Sequence, residues 1–121
     1  MSDLTALIDG HLRAFADPDE GRRAEAVARL WVDDGSLIDP PFGATGHAAI
    51  AGMGGLLQQH YAGHTFRRST AIDSHHGVAR YGWDLIAPDG TVVLSGIDVA
   101  ELTDDRRLRR VVGFFGPLAT E

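Results

Sequence analysis

The spacing of hydrophobic positions changes once along this chain, from helical to alternating. Up to Ala16, Leu4, Leu7, Ile8, Leu12 and Phe15 recur at three- and four-residue intervals on one helical face, with His11 beside them. This predicts a first helix over about 2–16. Asp17-Pro18-Asp19-Glu20 then has the form of a capping box, with Asp17 as N-cap, Pro18 at the first helical position and Glu20 at the third. The second helix runs on through Ala24, Val27, Leu30 and Trp31. A short strand over 35–39 follows and is closed by Pro40-Pro41, which cannot continue a ladder. A third helix opens near Gly46 and presents Ile50, Met53, Leu57 and Tyr61 on one face. Gly52, Gly54 and Gly55 lie within it, each costing up to ~1 kcal/mol against alanine, so a weak helix forming a movable wall is expected.

From His64 onward the pattern reads as strands, over 65–74, 78–87, 91–102 and 108–115. They are separated by His75-His76-Gly77, Asp89-Gly90 and Asp104-Asp105, turns short enough to make neighbours antiparallel. Helices first and strands afterwards predict the α+β class. One domain over 1–121 is expected, with three N-terminal helices packed on a curved, mostly antiparallel sheet.

Turn chemistry assigns faces to these strands. Asp89-Gly90 suits a two-residue type I′ turn, because both residues tolerate positive φ. Pro88 then faces Thr91, and Leu85, Trp83 and Tyr81 oppose Leu94, Gly96 and Asp98. Opposed residues share a face, so Asp98 lies with Tyr81 and Trp83, and Gly96 leaves room for the indole. Phe66, Arg68, Thr70 and Ile72 join them from the preceding strand. A two- or four-residue loop at Asp104-Asp105 adds Val111, Gly113 and Phe115, whereas a three-residue loop would substitute Val112 and Phe114. The first is the expectation. The reverse face then carries Val93, Ile97, Val99, Val112 and Phe114. An antiparallel sheet half open to water is not apolar on both faces. One face therefore takes the helices, and the other is expected to take a second copy of the chain.

Composition narrows the function classes. In 121 residues with 44% hydrophobic there is no cysteine, which excludes disulfides, thiolate metal sites and cysteine nucleophiles. A net charge of -6 argues against a nucleic-acid partner. No apolar run approaches the roughly 18 residues of a membrane span, and the N-terminus has no signal-peptide pattern. No membrane association and a cytoplasmic location are expected. Arg106-Arg107-Leu108-Arg109-Arg110 follows two aspartates and reads as a solvated turn. His75-His76 point opposite ways and make a poor metal pair, so no metal is expected. No glycine-rich phosphate loop, Ser-His-Asp order or nucleophile elbow is present, and no cofactor is expected.

Two acids remain as candidates for chemistry. Asp98 sits mid-strand facing aromatics, where desolvation disfavours its charge and suits it to acid–base work near neutral pH. The plainer alternative pairs it with a donor such as Arg68 or a histidine. Asp39 precedes a proline, so its backbone is extended; the plainer alternative is a turn aspartate bonding its own backbone. Sharing one pocket would drive the two pKa values apart, giving one base and one acid. His11, Phe15, Trp31, Tyr81, Trp83 and Phe115 are the candidate pocket walls, each also a good core residue.

These segments resemble the nuclear transport factor 2-like superfamily in its SnoaL-like branch, over nearly the whole chain. Leu30 through Pro40 carry the resemblance, together with Gly96-Ile97-Asp98-Val99 and Val111 through Gly116. It implies a cone-shaped fold that elsewhere hosts isomerases, dehydratases, cyclases, hydrolases and non-catalytic binders, so it speaks to fold more than to reaction. Locally the chain is similar to ketosteroid isomerase, whose pattern implies Asp39 as general base and Asp98 as acid or oxyanion donor. That enzyme's protonated aspartate is a standard case of a neutral carboxylic acid donating a hydrogen bond. Its first-helix tyrosine is replaced here by His11 or Phe15, with Tyr81 the other available hydroxyl, which weighs against steroid isomerisation. The expected function is cofactor-free proton transfer on a small apolar carbonyl compound. The alternative is a domain that binds a small ligand, or dimerises, without catalysis.

Overall fold

A computed structural model describes residues 3–121. The first two positions of the expected first helix lie outside them. Helix α1 (Asp3–Phe15) buries Leu7, Ile8, His11 and Leu12, the face that the spacing predicts. Helix α2 (Glu20–Leu30) starts later than the capping box implies. Its N-cap is Asp19, whose carboxylate accepts from Arg22 N at 2.8 Å. Asp17 is drawn away from capping: it accepts from Asp19 N at 2.9 Å and from the Arg22 guanidinium. Pro18 therefore precedes the helix and does not open it.

Trp31, expected at the end of that helix, is the first residue of strand β1 (Trp31–Asp39). After Pro40-Pro41 the chain reverses into a strand the sequence reading lacked, β2 (Phe42–Thr45), paired antiparallel with β1. Helix α3 (His47–His60) follows Gly46, whose φ of 89° suits only glycine. The glycines of α3 have a packing reason. A Cβ at Gly54 would lie 2.6 Å from Arg23 Cδ and one at Gly55 3.0 Å from its Nη2, whereas Gly52 faces open space. Arg23 is buried across this contact and donates to Ala51 O at 2.9 Å and Asp17 O at 2.7 Å. The helix expected to be loose is pinned by a buried cation.

The expected strand 65–74 is two strands, β3 (Thr65–Arg68) and β4 (Asp73–His75), both paired with β5 (Val78–Ile86). Between them Thr70 turns its hydroxyl to Gly82 N at 2.9 Å, taking a donor that a continuous strand would use. Strands β6 (Val92–Leu102) and β7 (Leu108–Phe115) complete a seven-stranded sheet in the order β2-β1-β7-β6-β5-β3, with β4 beside β5. Every pairing is antiparallel except β1 with β7.

Both late hairpins reach the expected register by a different route. Ala87 N bonds Thr91 O, so the loop is three residues, Pro88–Gly90, and only Gly90 takes positive φ. A bulge between the Leu85 and Ile86 pairings then restores Leu85↔Leu94, Trp83↔Gly96 and Tyr81↔Asp98. Likewise Thr103 N bonds Arg107 O across a three-residue loop with Arg106 at φ 62°, and a bulge restores Asp98↔Gly113. Val111, Gly113 and Phe115 thus share the Asp98 face, although the loop is the length expected to exclude them.

That inner face and the helices bury Ile8, Trp31, Ile50, Leu85, Leu108 and Val111 almost completely. Each large side chain so buried contributes about 1.5–3 kcal/mol. On the outer face Val93, Ile97, Val99 and Phe114 remain 39–58% exposed, as does Ile38 at 40%.

Candidate active site

One lateral row of the sheet assembles the site. Tyr81 of β5 pairs with Asp98 of β6, and Asp98 with Gly113 of β7. Ile38 pairs with Val112, so Asp39 at the end of β1 comes beside Gly113. Because Gly113 has no side chain, the two carboxylates close over it. A Cβ there would lie 2.5 Å from Asp39 Oδ1 and 3.1 Å from Asp98 Oδ1.

The two acids meet different surroundings. Asp98 is 7% exposed and accepts two hydrogen bonds, from Tyr81 Oη to Oδ2 and from Trp83 Nε1 to Oδ1, both 2.9 Å. Neither Arg68 nor a histidine pairs with it; Arg68 binds Asp9 of α1 at 2.8 Å. Burial pushes the Asp98 carboxyl up to about 6, against the downward pull of its two donors. Asp39 Oδ1 is buried with no hydrogen-bond partner among the described residues. Burial first, and the Asp98 charge second, push its carboxyl up to about 7. Burial holds His11 neutral, lowering its pKa to about 4. Burial and Asp98 raise Tyr81 well above the ordinary phenol value, so it stays a donor.

Space exists on both sides of Asp39. An outer cavity of about 530 Å³ lies between the sheet and α3, walled chiefly by Phe15, Met53, Leu57, Phe66, Trp83 and Phe115. Pro40, Pro41 and Phe42 close one side, with His60 and Tyr61 on another. Deeper in, an inner recess of about 20 Å³ is bounded by His11, Phe15, Leu37, Asp39, Phe66, Trp83 and Asp98. Such a volume fits one oxygen-sized group. The walls are a chain of ring contacts, Phe15–Phe66 at 6.2 Å, Phe66–Trp83 at 5.4 Å and Trp83–Phe115 at 6.0 Å.

Asp39, Asp98, His11, Phe15, Trp83 and Phe115 therefore converge as the sequence suggests. Trp31 and Tyr81 line neither cavity. Trp31 is fully buried, its ring 5.6 Å from that of His11, and Tyr81 stands behind Asp98. The α3 wall is the one the sequence suggests, whereas the β2 wall escapes it because Phe42–Thr45 lacks alternation and follows Pro40-Pro41. Gly113 carried a signal only in hindsight of register: it is the residue directly opposite Asp98. Among the described residues no group of three or more His, Asp or Glu gathers to hold a metal ion, and no helix is long and apolar enough to cross a membrane.

No family profile and no curated protein sequence matches the chain. Solved structures do. A candidate isomerase of the SnoaL-like family from Agrobacterium tumefaciens is 31% identical, with a TM-score of 0.89 over 97% of this chain and 100% of that one. A candidate polyketide cyclase from Sinorhizobium meliloti is 13% identical, with a TM-score of 0.70 over 94% and 100% of the two chains. A protein with a ketosteroid isomerase-like fold from Catenulispora acidiphila, solved with trimethylamine, is 9% identical, with a TM-score of 0.72 over 91% and 85%. The last two show the fold alone. With the first relative matched along its full length, the chain belongs to the SnoaL-like family, in the nuclear transport factor 2-like superfamily.

Proposed function

We propose that this protein is an enzyme that moves a proton on a small apolar carbonyl compound, with Asp39 as the proton-transfer group. One observation carries the reading: Asp39, whose Oδ1 is buried without a hydrogen-bond partner among the described residues, lines both an apolar cavity and a recess the size of one oxygen. The ligand body would fill the outer cavity and its carbonyl oxygen the recess. Once ionised, above about pH 7, the Asp39 carboxylate would take a proton from the adjacent carbon, and the electron pair would pass to the carbonyl oxygen as an enolate. Neutral His11 can donate to that oxygen. Return of the proton elsewhere gives isomerisation; attack by the enolate on a second carbonyl carbon, whose π electron pair passes to its own oxygen and takes the proton back from Asp39, gives cyclisation. The relative described as a candidate isomerase and the one described as a candidate polyketide cyclase fit these two outcomes.

The hydrogen bonds favour a division of roles other than the one the resemblance implies. Both Asp98 oxygens accept, so Asp98 suits a fixed anion better than a donor to an oxyanion. The direct test is deuterium uptake from heavy water at the α-carbon of a ketone such as α-tetralone, followed by proton NMR. Wild type should accelerate uptake, and Asp39→Asn should lose about 10²-fold or more. Equal rates in the two proteins would reject the reading.

A second reading, a small-ligand binder without chemistry, is favoured by the buried, doubly hydrogen-bonded Asp98. It predicts that Asp39→Asn changes affinity and no rate. The back of the sheet enters the proposal as a homodimer surface. Its apolar patch includes Ile97, Val99 and Phe114, which a two-fold axis would set against the same patch of a second copy.

A further inference from the structure

We infer that Gly113 is the positioning residue of this site: lacking a side chain, it lets Asp39 and Asp98 face each other as a dyad that holds one proton between them. The inference rests on the proposed acid–base role of Asp39 and goes beyond it, since it concerns the pair and not either acid.

The geometry supplies each part. The place a methyl group would occupy at Gly113 lies 2.5 Å from Asp39 Oδ1 and 3.1 Å from Asp98 Oδ1, and no other atom within 4 Å is nearer than these carboxylates. Any larger residue in this position would separate the acids. The environments then decide where the proton sits. Asp98 receives two donors that cannot reverse, an indole N–H and a phenol held protonated by burial, so both its oxygens act as acceptors. Asp39 Oδ1 receives none. Two carboxylates seated over one glycine repel when both are charged, so double ionisation is penalised and the single proton falls to the acid without donors. Among the described residues no cation pairs with either acid: His11 on α1 is neutral, and Arg68 is bound to Asp9 of α1.

Coupling leaves a signature that independent acids lack. Removing a donor from Asp98 makes it harder to ionise, so Asp39 should lose its proton at lower pH. The two midpoints should move in opposite directions. The test is ¹³C NMR of the aspartate carboxyl carbons against pH in wild type, Trp83→Phe, Asp98→Asn and Gly113→Ala. In Trp83→Phe the Asp98 midpoint should rise and that of Asp39 fall. In Asp98→Asn the Asp39 midpoint should fall by about one unit. In Gly113→Ala, if folded by circular dichroism, it should fall as well because the acids are wedged apart. The isosteric Asp98→Asn keeps the inference testable should Gly113→Ala not fold. An Asp39 midpoint unmoved in Asp98→Asn, or midpoints moving together in Trp83→Phe, would overturn it. Neither outcome depends on turnover, so loss of the dyad and loss of the proposed activity are separable results.

Discussion

The indole of Trp83 donates to Asp98 Oδ1 at 2.9 Å while its ring walls both cavities. The packing that brings it there is explicit: a Cβ at Gly96 would lie 2.3 Å from Trp83 Cζ2, so the ring rests on that glycine's bare backbone. One residue thus fixes the buried acid and shapes the ligand space.

Trp83→Phe should therefore destabilise more than its lost contacts explain. It leaves a buried carboxylate oxygen without its donor, and a hydrogen bond to a charged group is worth about 1.5–3 kcal/mol. The deficit should be larger at pH 8, where Asp98 is ionised, than at pH 5, where it is largely protonated. Urea unfolding at the two pH values measures the difference; equal losses would mean that the bond carries no charge dependence.

The glycines of α3 divide into two kinds. Gly54→Ala puts a methyl 2.6 Å from Arg23 Cδ and 3.1 Å from Phe15 O, where the backbone cannot yield cheaply. A cost of about 1–3 kcal/mol is expected. Gly52→Ala meets nothing within 4 Å and should stabilise by up to ~1 kcal/mol through helix propensity. Thermal melts of both variants test the assignment, and a destabilised Gly52→Ala would refute it.

Much of this was legible in the sequence, for identifiable reasons. The register expected from the Asp89-Gly90 turn places Asp98 inward, and in both hairpins a bulge cancels the error in loop length. The hydrophobic pattern of this strand alone would not do so, because a one-residue slip would bury Ile97 and Val99 in place of Gly96 and Asp98. The roles of Gly54 and Arg23 were not legible. They depend on the approach of α2 to α3, and periodicity within one helix carries no information about its neighbour. The juxtaposition of Asp39 and Asp98 lay between these cases: Asp98 could be placed on the inner face, but bringing Asp39 beside it needed the parallel β1–β7 pairing that no short turn announces.

Phe114 is 58% exposed on the outer face, in register with Ile97 and two residues from Val112. If this face is the homodimer surface, Phe114→Glu should give a monomer, since burying an unpaired carboxylate costs several kcal/mol. The side chain points away from the cavities, so carboxyl titration in the site should be unchanged in the folded monomer. Light scattering coupled to size-exclusion chromatography reads the mass, and a wild-type monomer at micromolar concentration would reject the dimer.

The acid pair should also govern how stability depends on pH. Folding raises both carboxyls, Asp39 to about 7 and Asp98 to about 6, above the ordinary carboxyl range near 4. Between those limits the native state holds more protons than the unfolded chain, so stability is fully present below about pH 4 as far as this pair is concerned. It is lost as pH rises through 6 and 7. Asp39→Asn removes the group with the largest rise and one of two facing charges. The variant should therefore lose most of the decline and be more stable than wild type at pH 8, by roughly 1–2 kcal/mol after allowing for the solvent that reaches Asp39. At pH 5 the two proteins should be nearly equal. Chemical unfolding across pH 5 to 8 decides the matter: a wild type that gains stability over that range would mean that the two carboxyls are not destabilised by folding.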